Sequence, residues 1–179
     1  MQIRQTKSHY YLANELIEGR KTLFFLHGFP DNFYVWKELI PYLDESYNIV
    51  CVCAPGCSKE SGEHSKQKVK DFRLKNLSLC YLEVLNHYFS NKDSSHLYQH
   101  KVAIIAHDMG GPYGHYLLDF LHPKTQMICI NSLSGQGIIN RKSNPEQLLR
   151  SSYMTLFQLP FVSKKTLNKF WYFLRENAQ

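Results

Sequence analysis

The stretch AHDMGGPYG, residues 106–114, ends an apolar run with an aspartate and follows it with a pair of glycines. A strand that stops at a reactive side chain and turns at once into a helix is the setting of a nucleophile elbow. The turn there is strained, and only small neighbours fit where helix packs on strand. Ala106 and Gly110 stand where that motif carries its two glycines, and Asp108 takes the central place. Asp108 is therefore a candidate nucleophile. The plainer alternative is an aspartate that caps a helix N-terminus, where negative charge is favoured. A second segment, HGFPDNFYVW at 27–36, follows another apolar run and sets His27, Phe29 and Trp36 just beyond it.

The elements that must position these residues are legible as an alternation. TLFFLHG (22–28), YNIVCVC (47–53), KVAIIAH (101–107) and QMICIN (126–131) are short apolar runs, rich in β-branched and aromatic residues. Such runs are expected of strands buried on both faces of a parallel sheet. Asp71 fits an N-cap, and Leu74, Leu77, Tyr81, Leu82, Leu85 and Phe89 recur at helical spacing on one apolar face. A second helix is predicted from Gly110 to Leu121, ending before HP. Strand, helix, strand in repetition implies right-handed crossovers and a doubly wound, mostly parallel α/β sheet. YYLANELIEGRKTLFF should open with an antiparallel pair, and QMICIN should lie at a sheet edge. Past Asn131 the character changes. Asn144, Pro145 and Gln147 fit the start of a further helix, whose apolar face would carry Leu148, Leu149, Ser152, Tyr153, Leu156 and Phe157 before Pro160 ends it. A last helix is expected over 164–176.

Composition excludes several classes of function. The 179 residues are 44% hydrophobic and 20% charged, with no run of about 18 apolar residues to span a membrane. The N-terminal sequence carries no apolar stretch bounded by a small-residue cleavage site, so a cytoplasmic location is expected. Five cysteines, three of them in CVCAPGC, lack a second cluster to complete a metal site and read as buried or idle thiols. The net charge is +6, and the densest basic stretch, KESGEHSKQKVKDFRLK, also carries Glu60, Glu63 and Asp71. It lacks the interleaved aromatic and basic side chains of a nucleic-acid surface and reads as a solvated loop.

Taken together, the ordered motifs resemble the epoxide hydrolase and haloalkane dehalogenase branch of the α/β-hydrolase superfamily, and more closely the epoxide hydrolases. The resemblance runs from Thr22 to Pro160. It rests on the HGFP loop, Trp36, DFRLKNL, the HD-x-GG elbow and NPEQLLRSSYMTLFQLP, which is similar to the first helix of that family's cap. It implies an α/β-hydrolase core over 1–135 and the start of a helical cap over 136–179. It also implies a small apolar substrate such as an epoxide, with no cofactor and no metal. An epoxide is attacked at saturated carbon, where serine would leave an ether that water cleaves poorly and aspartate leaves an ester. An ordinary aspartate, pKa about 3.9, is ionised near neutral pH without a base. By the same resemblance the backbone N–H groups of Phe29 and Met109 stabilise the oxyanion of ester hydrolysis. Tyr153 donates a hydrogen bond to the epoxide oxygen, with plain core packing as its alternative. His27 and His107 brace the loops by hydrogen bonds, and Trp36 packs beneath them.

The family's acid and histidine belong to loops after later strands. His115 and His122 follow Asp108 but belong to the elbow helix or its end, so the chain is expected to be incomplete at its C-terminal side and short of a base. Met109 replaces a common tryptophan, APGCS is a shortened loop, and SLSG replaces an NAPHP-like strand ending. A haloalkane or haloacid dehalogenase-like activity is the alternative, but halide binding needs side-chain N–H donors that Met109 and Phe29 do not supply. An alternative of another class is a non-catalytic remnant, or one part of a split gene whose C-terminal fragment completes the fold.

Overall fold

In the computed structural model, residues 1–6, 9–29, 31–43, 45–54, 57, 73–89 and 101–132 are described. Six strands form one sheet: β1 (Gln2–Gln5), β2 (Tyr10–Ala13), β3 (Thr22–Leu26), β4 (Asn48–Val52), β5 (Val102–His107) and β6 (Gln126–Ile130). Between them lie 3₁₀ turns at Phe33–Trp36 and Ile40–Tyr42 and the helices α1 (Leu74–Phe89) and α2 (Gly110–Leu118). The order across the sheet is β1-β2-β4-β3-β5-β6. β4, β3, β5 and β6 are parallel, whereas β2 runs antiparallel to both β1 and β4. The fold is thus the expected mixed α/β sheet. The antiparallel start differs in detail, because β2 pairs with the preceding β1 and with β4 rather than with β3. QIRQ carries no apolar alternation, and its pattern is exposed on both faces, so only pairing marks it as a strand.

Alternate side chains of the central strands feed two cores. Phe24 and Leu26 of β3, Val50 and Val52 of β4, and Ile104 and Ala106 of β5 join α1 and α2 on one face. Leu23, Phe25, Ile49, Cys51 and Ala103 face the other way, onto Phe33, Trp36 and Ile40 of the 3₁₀ turns. β3 and β4 are buried at every position, as runs enclosed on both faces must be. β6 departs from that expectation: it lies at one edge of the described sheet, and only Met127 is better than exposed.

α1 buries Leu77, Ser78, Tyr81, Val84, Leu85, Tyr88 and Phe89. The buried stripe is thus displaced from the expected one: Leu74 is 42% exposed, while Val84 and Tyr88 point inward. Buried Ser78 donates its hydroxyl to the Tyr113 carbonyl at 3.4 Å, a polar stitch between α1 and α2. α2 is shorter than predicted, closing at Leu118 with Asp119 as its cap. The chain divides by contact into Met1–Ser134 and Gly135–Gln179. Asp71, the helices expected beyond Asn144, and Tyr153 lie outside the described residues.

Candidate active site

Strand order fixes where a site can form. The connection from β3 leads to β4 on one side, and the connection from β5 leads to β6 on the other. With right-handed crossovers, these connections leave on opposite faces and open a crevice beyond the carboxyl ends of β3 and β5. His27, Gly28 and Phe29 follow β3, and Asp108 follows β5. The segments HGFPDNFYVW and AHDMGGPYG therefore meet at the switch point of the sheet.

Asp108 has φ 47°, a left-handed conformation that few residues other than glycine adopt. Such a turn lifts its side chain off the strand end. The Phe29 N–H donates to the Asp108 Oδ2 at 3.1 Å. Gly28 permits this approach, since a Cβ there would overlap both the Cβ and the Oδ2 of Asp108. Met109 is the half-buried N-cap residue of α2. The Gly111 N–H in the first turn of that helix donates to the Asp108 backbone carbonyl at 3.1 Å. The Phe29 side chain is 56% exposed, so its backbone rather than its ring is committed to the site.

His27 is buried and uses both ring nitrogens on backbone: Nδ1 is 2.7 Å from the Gly28 carbonyl and Nε2 accepts the Ala54 N–H at 2.9 Å. That pattern requires a neutral ring with its proton on Nδ1. Burial lowers the His27 pKa, against the opposing pull of the Gly28 carbonyl and the Asp31 charge. The loops after β3 and β4 are tied again by Asn32, whose Nδ2 donates to the Cys57 carbonyl at 3.1 Å while its Oδ1 accepts the Tyr34 N–H at 2.9 Å.

His107 and Trp36 meet edge-on, 6.4 Å between ring centroids. Trp36 also lies 5.0 Å from Phe25 and is buried in the second core. No described residue hydrogen-bonds the buried His107 Nδ1; the bracing expected of this histidine is a ring contact there. Tyr113, one turn into α2, was not singled out by sequence. Burial raises its phenol pKa, and the Cys57 thiol and the Asp108 charge raise it further. Asn32 caps the 3₁₀ turn Phe33–Trp36, and an asparagine directly before the aromatic run FYVW is the sequence signature of such a cap. Among the described residues no group of three His, Cys, Asp or Glu side chains converges to hold a metal. No described helix is long and apolar enough to cross a membrane.

Residues 21–169 match the alpha/beta hydrolase fold family, and the chain belongs to it. Within that family its curated relatives include human epoxide hydrolase 4, 28% identical over 159 residues covering 86% of this chain and 39% of the relative. Epoxide hydrolase B of Mycobacterium tuberculosis is 29% identical over 125 residues, 67% of this chain and 31% of the relative. The chain thus spans about two-fifths or less of the length of these relatives. Among solved structures, an epoxide hydrolase from Bacillus megaterium complexed with its product superposes with TM-score 0.67 at 18% identity, over 90% of this chain and 53% of the other. A protein that recognises and cleaves the ring of the Pseudomonas quinolone signal superposes with TM-score 0.55 at 15% identity, over 86% and 56%. One fold serves both chemistries, so the choice between them belongs to the residues of the site.

Proposed function

We propose that this chain carries the nucleophile and the oxyanion donors of an epoxide hydrolase site. An oxygen of the Asp108 carboxylate attacks a ring carbon of the epoxide. The carbon–oxygen bond of the ring breaks, its electron pair passes to the ring oxygen, and that oxygen takes a proton as the ring opens. Tyr153 is the donor that family resemblance supplies for it. The product is a hydroxyalkyl ester of Asp108. Water then adds to the ester carbonyl carbon, and the N–H groups of Phe29 and Met109 stabilise the oxyanion until the diol leaves.

The observation that carries this reading is the Phe29 N–H 3.1 Å from Asp108 Oδ2. A donor aimed at one carboxylate oxygen leaves the other free to attack and already faces the atom that becomes the oxyanion. A helix-capping aspartate would need neither the left-handed φ nor a donor from another strand's loop. Similarity to curated epoxide hydrolases supports the same substrate class.

The test is covalent labelling. Incubation with a glycidyl ether should add one equivalent of its mass, mapped to the peptide containing Asp108, and Asp108→Asn should abolish the adduct. Label distributed over lysines and cysteines, with Asp108 untouched, would end the proposal.

A further inference from the structure

β6 contributes more than a strand beside the elbow. Its ladder with β5 reaches the pair His107↔Ile130, and the Asp108 N–H extends it to the Ile130 carbonyl at 3.2 Å. The chain then turns at Asn131, φ 45°, a left-handed position that asparagine tolerates better than most residues. After that turn the Ser132 hydroxyl donates to the Asp108 carbonyl at 2.7 Å. The same carbonyl accepts the Gly111 N–H at 3.1 Å. Gly111 makes the approach feasible, because a Cβ there would overlap the Ser132 hydroxyl.

Both backbone polar groups of the strained residue are therefore held, and of the three hydrogen bonds only one comes from a side chain. We infer that Ser132 is a positioning residue: its hydroxyl locks the carbonyl of Asp108, and so the elbow dihedrals, in the setting that aims the carboxylate at the Phe29 N–H. The inference rests on Asp108 being the nucleophile. A small rotation at the elbow moves the carboxylate as a lever, and displacement on the order of 1 Å costs up to about 100-fold in rate. Loss of one brace of three should cost about tenfold.

The test takes the full 179-residue chain, p-nitrophenyl glycidyl ether as probe, and the variants Ser132→Ala and Ser132→Thr. In Ser132→Ala the maximal rate of adduct formation on Asp108 should fall about tenfold, with the half-saturating probe concentration unchanged. Hydrogen exchange at the Phe29 amide should accelerate while the amides of β1 and β2 hold their wild-type rates. Ser132→Thr, which keeps a hydroxyl, should restore both. A merely structural role would instead loosen exchange across the whole sheet. Wild-type labelling and wild-type Phe29 exchange in Ser132→Ala would overturn the inference, as would failure of Ser132→Thr to restore either. If the wild-type chain forms no adduct on Asp108, the nucleophile reading falls, and Phe29 exchange still decides whether Ser132 sets the elbow.

Discussion

A histidine that gives both nitrogens to backbone has left the pool of bases, and His27 makes this measurable. Its folded pKa lies below the ordinary 6.5 because burial penalises the charged ring. The unfolded chain then binds the extra proton more readily, so folding stability is full above about pH 6.5 and is lost as pH falls from there toward the folded pKa. Denaturant melts from about pH 8 to pH 5 should show wild type losing stability against His27→Gln, which has nothing to protonate. Parallel curves for the two proteins would contradict the neutral ring. Residue chemistry of this kind was partly legible. Asp108 stood out because it ends an apolar run with a small residue two places to either side, the pattern of a nucleophile elbow. Ser132 did not, because a hydroxyl two residues past a strand has no spacing signature and acquires a partner only when β6 pairs with β5.

Elements were most legible where burial was complete. Thr22–Leu26 and Asn48–Val52 are enclosed at every position and read as unbroken apolar runs. α1 was harder. Leu74 in its first turn keeps the helical spacing without the burial, whereas Val84 and Tyr88, outside the expected stripe, carry the packing. Leu85→Ala, at a fully buried position, should cost about 2–5 kcal/mol, and Leu74→Ala no more than about 0.5 kcal/mol, both read from urea midpoints. Equal costs would mean that the helix face is wrongly oriented. The thiols offer a check on the strands. Cys129 on β6 is exposed, Cys57 is half-buried with its pKa pushed up to about 11, and Cys51 is fully buried. Iodoacetamide at mild alkaline pH should therefore label Cys129 first, Cys57 slowly, and Cys51 only on unfolding; early labelling of Cys51 would contradict the order of the sheet.

For the molecule as a whole, the site depends on topology more than on any single contact. Its two halves arrive from β3 and β5, which are neighbours in the sheet but separated in the chain by β4 and α1. On the proposed reading the ester on Asp108 is a discrete intermediate, and base assistance adds about 10² to 10⁴ in rate to its hydrolysis. Mass spectrometry of the quenched reaction should therefore find a mass increase on Asp108; diol formation with no such adduct at any time would contradict the ester. The central position of β3 has a further consequence, in time rather than in space. Thr22 pairs with Asn48 on one flank and with Val102 on the other. Apart from the hairpin of β1 and β2, no strand of this sheet can zip onto its sequence neighbour through a tight turn, and each parallel pairing first closes a long loop. Folding should accordingly be slow, on the millisecond-to-second scale of folds built from distant contacts. Gly28 and Asp108 meet only when β5 docks on β3, so the contact on which the proposed site depends is assembled in one of the longest-range closures of the folding reaction and cannot precede it.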